Sequence, residues 1–215
     1  IQHFPVDVFQ TGSGTSSNMN VNEVVATLAS RASDLTINPN DHVNFGQSSN
    51  DVIPTAIHVS AVTAVSRDLL PAIDELISAI SLKSDALQGV CKTGRTHLMD
   101  AMPVRMDQIL QGWAAQLENA RALISTTLAH LQYVALGGTA VGTGINTHGD
   151  FSVASTQILS MNTGLEFFPA KEHFSLIGSQ DSAVALSGQL KTLAVALMKI
   201  SNDLRWMNSG PLAGL

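Results

Sequence analysis

Two stretches of this chain, residues 51–87 and 103–134, carry apolar side chains at helix-face spacing for longer than a small domain is wide. In the first, Ile57, Ala61, Ala64, Val65, Leu69, Ala72, Ile73, Leu76 and Ile80 recur at three- and four-residue steps. In the second, Met106, Ile109, Leu110, Trp113, Leu117, Leu123, Ile124, Leu128 and Leu131 do the same. A helix rises about 1.5 Å per residue, so each stretch is on the order of 45 Å long. Stripes of that length cannot all be buried inside one small globule. The spacing predicts an all-α fold of long helices that pack as a bundle across several chains.

Local signals place the other elements. Asn50 or Asp51 is positioned to cap the first long helix, and Pro54 falls in its first turn, where a missing N–H costs nothing. Pro71 predicts a kink, or a break just before it. Pro103 is read as opening the second long helix. Val21, Val24, Val25, Leu28 and Ala29 predict a helix over residues 20–32. Residues 33–50, 89–102 and 137–148 read as loops, the first punctuated by Asn38-Pro39-Asn40-Asp41 and Gly46. Helices are predicted over 151–163 and 180–207, the last stopped by Asn208-Ser209-Gly210-Pro211, with 164–179 irregular. No strand alternation persists anywhere, and no repeat of solenoid length is present.

Charge is scarce. Of 215 residues, 45% are hydrophobic and only 13% are charged, against a usual charged share of roughly 25%. The longest apolar candidate, residues 193–200, is short and broken by Lys199, whereas a membrane span needs about 18 residues. Burial of outer helix faces against other chains explains the composition instead, and predicts an oligomer. The net charge of −6 and pI near 5.5 argue against nucleic acid, which calls for a basic patch. A lone Cys91 excludes an intrachain disulfide framework and a thiolate metal cluster, and sits where a buried small hydrophobe is expected. None of the seven histidines pairs with another at metal-ligand spacing, so no metal and no cofactor are expected. The chain opens on Ile1, with no signal or transit pattern in view.

Against this background, three polar stretches stand out: Gly12-Ser13-Gly14-Thr15 with Ser16-Ser17-Asn18-Met19-Asn20 behind it, Gln47-Ser48-Ser49-Asn50-Asp51, and Lys92-Thr93-Gly94-Arg95-Thr96-His97. Each has a modest reading. The first is an ordinary Ser/Asn capping loop, the second a helix cap, the third a solvated loop histidine. Each also has a chemical reading. Glycines, hydroxyls and a helix N-terminus make an anion cradle. Four consecutive polar side chains exceed what one cap needs. An imidazole is the side chain best suited to move a proton near neutral pH. The loop of residues 137–144 invites a dinucleotide reading, but that motif needs a preceding strand and an acidic residue about 20 positions on, and the preceding chain reads as helix; a tight connection between helices is the better account. His58 falls inside the first long helix and reads as a packing residue. In combination, neutral donors and one histidine can bind two carboxylates and assist addition or elimination of water across a dicarboxylate, whose dianionic intermediate needs preorganised donors.

Residues 12–23 (GSGTSSNMNVNE), 40–51 (NDHVNFGQSSND), 92–100 (KTGRTHLMD), 137–148 (GGTAVGTGINTH) and 201–215 (SNDLRWMNSGPLAGL) resemble, in order, segments of class II fumarase, within the fumarase/aspartase superfamily. The resemblance implies a long-helix bundle of the fumarase/aspartase type, truncated at both ends. Residues 1–47 would be the end of an N-terminal domain, and 48–215 an incomplete central helical-bundle domain. It implies a hydro-lyase that reversibly adds water to fumarate in the anti sense to give L-malate. His97 would be the catalytic histidine, acting through a bound water. Ser13, Gly14, Thr15, Ser48, Ser49, Asn50 and Thr96 would bind substrate. It also implies a homotetramer with each active site drawn from three subunits, and a cytoplasmic location (mitochondrial in a eukaryote).

Ser49 and His97 favour fumarase over aspartase, which tends to carry Thr and Gln there. Asn40 and Asp41 match part of a second, non-catalytic dicarboxylate site, whose family pattern His-Pro-Asn-Asp becomes Asn38-Pro39-Asn40-Asp41 in this chain. The family's signature loop, Gly-Ser-Ser-x-Met-Pro-x-Lys-x-Asn, which supplies the serine base, is expected soon after Leu215, so the 215-residue piece alone is expected to be nearly inactive. The alternatives are an aspartase-like ammonia lyase and a non-catalytic helical oligomerisation module. A panel of malate, aspartate and argininosuccinate separates the first, and the sequence following Leu215 the second.

Overall fold

A computed structural model of the chain describes residues 2–7, 9 and 14–211. Helices dominate. They are α1 (Thr15–Ser33), α2 (Ser49–Ala64), α3 (Leu70–Ala86), α4 (Met106–Leu131), α5 (Phe151–Thr163), α6 (His173–Gly178) and α7 (Asp181–Met207). Two antiparallel strands, β1 (Cys91–Thr96) and β2 (Met99–Arg105), form a hairpin, and β3 (Tyr133–Val134) pairs in parallel with β4 (Phe168–Pro169). The chain divides into two compact units: Ile1–Thr63 with Ala129–Ala183, and Ala64–Leu128 with Val184–Leu215.

The first predicted long helix is continuous in its winding but changes pitch. Between α2 and α3 lies a π-helical turn, Val65–Leu69, closed by the Leu70 N–H on the Val65 carbonyl. Pro71 at the start of α3 accounts for it. The proline ring has no N–H and crowds the carbonyl four residues back, and one wider turn relieves both. The break expected just before Pro71 is therefore a π-turn.

In the first unit, Val62, Leu131, Val134, Ala135 and Phe167 are buried, together with His58, which is 3% exposed. The Nδ1 of His58 lies 2.7 Å from the carbonyl of Tyr133. A carbonyl can only accept, so Nδ1 carries the proton, and His58 is the satisfied packing residue that the sequence predicts. A second π-turn, Pro39–Val43, is capped by Asn38, whose Oδ1 accepts from the N–H groups of Asn40 and Asp41.

In the second unit, Leu117 and Ile124 of α4 are fully buried, with Ile73 and Ile80 of α3 and Leu186, Leu193 and Ile200 of α7. A bidentate ion pair between Arg121 and Asp74 and a hydrogen bond from the Ser84 hydroxyl to the Asp107 carbonyl join α3 to α4. One face of α7 is left outside: Val184, Val195 and Met198 are exposed. This helix is long and apolar enough to pass a composition test for a membrane span, yet Lys191 and Lys199 interrupt it and its other face is packed in this unit.

Three expectations need correction. Residues 164–179, read as irregular, hold β4 and α6. Residues 91–105, read as a loop leading into a helix at Pro103, form the β1–β2 hairpin, and α4 begins only at Met106. Gly94 and Pro103 mask the strand signal, because both residues weaken strand pattern when read locally. Cys91, expected to be buried, is exposed at the start of β1. An exposed thiol at the mouth of a hairpin is not a core residue, and the apolar neighbours that suggested burial belong to elements on either side.

Candidate functional site

The candidate residues fall into two groups, one in each unit. Ser13 lies outside the described residues. In the first unit, α1 begins at Thr15, behind Gly14 in a left-handed conformation at φ 66°, and has no side-chain cap. Gly14 has no side chain to cap the helix, and the first-turn N–H groups mark the positive end of its dipole. Gly14 is also required sterically: a Cβ there would lie 2.7 Å from Cγ1 of Ile53 in α2.

Two buried asparagines bring the start of α1 to the start of α2. The Asn18 amide donates to the Ser49 hydroxyl at 3.0 Å and to Oδ1 of Asn44 at 3.3 Å, and the Asn22 amide donates to the same Asn44 oxygen at 3.1 Å. Spaced four residues apart, these asparagines share one helix face. That spacing was legible in the sequence and is the signal by which they could have been found.

The start of α2 is built as a capping box, and its cap is Ser48 rather than Asn50 or Asp51. The Ser48 hydroxyl accepts the Asn50 N–H at 3.2 Å, and Oδ1 of Asp51 accepts the Ser48 N–H at 2.9 Å. Asp51 is completely buried, and its other oxygen accepts from Gly137 at 3.0 Å and Thr139 at 2.8 Å. Burial pushes its carboxyl up from the ordinary range, outweighing the N–H donors of Ser48, Thr139 and Gly137, which favour the anion. The Asn50 amide donates to the Ala140 carbonyl at 2.7 Å. Gly14, Thr15, Ser48, Ser49 and Asn50 are thus held in one small region. Ser48 and Ser49 are half-buried, and Thr15 and Asn50 are exposed.

Beside them, Asn40, Asp41, Asn44, Gln47, Thr139 and Asn146 line a cleft of about 380 Å³. The Thr139 hydroxyl is buried without a hydrogen-bond partner. Asn38 is turned into its own π-turn, and its N–H donates to Nδ1 of His42 at 2.9 Å. No cation lies among the lining residues.

In the second unit, His97 and Leu98 are the two central residues of the β1–β2 turn, with Thr96 paired to Met99. Both have positive φ, 53° and 60°. A two-residue turn with that pair of angles is the type I′ turn normally made by Asn-Gly, so this backbone is strained for the residues it carries. Gly94 sits where the register shifts, and a Cβ there would lie 2.5 Å from the Met102 carbonyl oxygen. Lys92, Arg95, Leu98, Lys199, Asp203 and Trp206 line a cleft of about 360 Å³ behind the hairpin.

The first group offers neutral hydroxyl and amide donors beside two helix N-termini, which suits carboxylate recognition. The second offers an imidazole free to meet solvent or substrate. The sequence pointed to Thr96 and His97, to Gly14 and Thr15, and to residues 48–50. It did not single out the amide contacts of Asn18 and Asn22 or the second role of Asp51, whose bonds to Gly137 and Thr139 span 86 and 88 residues and leave no local trace.

Known proteins with similar sequences and structures bear on these groups. A family model described as lyase matches residues 1–215. The chain is similar to class II fumarate hydratase 2 of Pseudomonas aeruginosa, at 64% identity over 100% of this chain and 47% of that protein. It is similar to the class II fumarate hydratase of Xylella fastidiosa, at 58% over 99% and 45%. It therefore spans about half the length of the curated relatives it matches. Among solved structures, a recombinant class II fumarase from Schistosoma mansoni superimposes with a TM-score of 0.96 at 39% identity, covering 99% of this chain and 49% of that one. The fold is thus the helical fold of that fumarase structure. Matched along its whole length, the chain belongs to the lyase family, and its curated relatives there are class II fumarate hydratases.

Proposed function

We propose that the whole protein is a class II fumarate hydratase, which adds water reversibly to fumarate to give L-malate. The observation that carries this reading is the start of α2. There Ser48, Ser49 and Asn50 stand at a helix N-terminus tied by Asn18 to the first turns of α1. Two carboxylates of a four-carbon diacid need such neutral, preorganised donors. In this reading Gly14, Thr15, Ser48, Ser49, Asn50 and Thr96 bind substrate, and so does Ser13. His97 moves a proton through a bound water. As the serine base expected after Leu215 takes the proton beside a carboxylate of malate, charge builds on that carboxylate. The helix N-termini and amide donors stabilise it, while the hydroxyl group, given a proton by way of the water that His97 holds, departs as water.

Each active site is proposed to draw on three subunits of a homotetramer. The exposed apolar face of α7 supports this, since four such faces cover one another in a bundle. The tetramer is checked by light scattering of the full-length protein. A cytoplasmic location, or a mitochondrial one in a eukaryote, completes the reading. The free, exposed Cys91 is in keeping with it, and cell fractionation tests it. A second dicarboxylate site at Asn40 and Asp41 has less support: Asn38 is spent on its own turn, and Asp41 would repel a dianion.

The deciding experiment follows fumarate absorbance from malate with the full-length protein, with aspartate and argininosuccinate alongside. Turnover of malate alone supports the proposal. Turnover of aspartate moves the protein to the ammonia lyases, and no turnover with a stable tetramer makes it an oligomerisation module. The isolated 215-residue piece is expected to give little or no activity.

A further inference from the structure

We infer that Asp51 is a positioning residue whose buried carboxylate fixes residues 137–140 against the start of α2, and so sets where Ser49 and Asn50 present their donors. The inference rests on the fumarate hydratase reading, since it concerns the substrate end of α2.

A capping box uses one carboxylate oxygen, and Oδ1 serves it by accepting from Ser48. Oδ2 is surplus to that purpose. It accepts two N–H groups from a loop 86 and 88 residues away, those of Gly137 and Thr139. The loop answers in the other direction, for the Ala140 carbonyl accepts from the Asn50 amide at 2.7 Å. Loop and cap thus hold each other through both a donor and an acceptor.

The loop needs holding. Thr139 has φ 57°, a left-handed conformation that costs a β-branched residue free energy and persists only where the surroundings impose it, whereas Gly137, at φ 102°, adopts its own without that cost. A Cβ on Gly137 would lie 2.6 Å from Cβ of Ser152, and one on Gly138 would lie 2.8 Å from Cβ of His173. The loop is therefore seated against α5 and α6 on one side and tied to Asp51 on the other. Asn50, exposed and held at one end by Ala140, is aimed by that seat. A shift of the loop moves the Asn50 amide directly, and with it a hydrogen bond to the charged substrate.

The test uses the full-length protein as wild type, D51N and G137A. D51N keeps the side chain's shape but sets an NH₂ against N–H donors, so that either the cap or the loop loses its acceptor. G137A leaves the carboxylate intact and displaces the loop by driving a Cβ into Ser152. Malate turnover gives kcat and KM, and peptide-level amide exchange compares residues 137–144 with the β1–β2 hairpin. For both variants KM rises roughly ten- to a hundredfold, the cost of a lost hydrogen bond to a charged group, with kcat changed much less. Exchange quickens in residues 137–144 and not in the hairpin.

Unchanged KM with quicker loop exchange overturns the positioning role, since the tie is then structural only. Unchanged loop exchange in D51N overturns the tie itself. If D51N does not fold, G137A decides by the same two readings. Failure of the underlying function looks different: the wild type then turns over no malate, while exchange still reports whether Asp51 holds the loop.

Discussion

The indole N–H of Trp113 donates to Oδ2 of Asp203 at 2.9 Å, joining α4 to α7 across 90 residues of sequence. Asp203 also pairs with Lys199 one turn earlier on α7, and the Lys199 ammonium lies 5.8 Å from the centre of the Trp113 ring. Trp113 is 3% exposed, so its N–H has no access to water as an alternative. Replacing it by Phe removes the donor and part of a packed ring. Trp113→Phe is expected to cost about 1–3 kcal/mol. The check is denaturant unfolding, with a lower midpoint and an unchanged slope.

At the hairpin tip, stability and chemistry are expected to pull apart. Leu98 is 65% exposed and has φ 60°, so Leu98→Gly gives up little buried surface and relieves a left-handed conformation. It should stabilise the protein by up to about 1 kcal/mol. His97→Asn suits the same turn chemically, and should leave fold and assembly intact. In the full-length protein, however, it should lower turnover by roughly 10² or more. Thermal melting and malate kinetics on both variants separate the two effects. An active His97→Asn enzyme removes His97 from the mechanism.

The helices were legible because their signals are local. The stripe from Met106 to Leu131 repeats on one face, and Phe151–Thr163 carries its own boundaries, a glycine after it among them. The π-turn before Pro71 was half legible: proline announces a disturbance but not its form. The hairpin was hidden, because its turn is His97-Leu98 where pattern expects Asn-Gly, and because Gly94 and Pro103 dilute both strands. At the site, the polar clusters were visible as excess, since residues 48–51 hold more polar groups than a cap requires. What each group does was not visible. Ser48 and Asp51 form the cap, and the remaining Asp51 oxygen is committed to Gly137 and Thr139, partners no local window contains.

His58→Ala tests the packing role assigned to that histidine. The change leaves a cavity in the first unit and an unpaired Tyr133 carbonyl, whose present partner is 2.7 Å away. Those two losses together should cost about 3–5 kcal/mol. His58 takes no part in the proposed chemistry, so KM for malate measured well below the melting point should stay unchanged. A stability equal to wild type would show that the Tyr133 carbonyl finds another donor.

Glu172 supplies the pH-dependent prediction. Its carboxylate caps α6, accepting from the N–H groups of Ser175, at 2.9 Å, and Phe174. The Ser175 N–H foremost, with that of Phe174, holds the Glu172 carboxyl below the usual glutamate range, against a smaller opposing effect of desolvation. A carboxyl that binds its proton less readily when folded stabilises the fold only while ionised. Its contribution is therefore present above about pH 4.3, the ordinary glutamate value, and is lost as pH falls through the lower folded value. Glu172→Gln keeps the acceptor oxygen but cannot titrate. Plotted between neutral and acidic pH, unfolding free energy of the variant should fall less steeply than that of the wild type on the acid side of that value. Parallel acid limbs would mean that Glu172 keeps the same proton affinity folded and unfolded, and that the cap is not what ties this segment to pH.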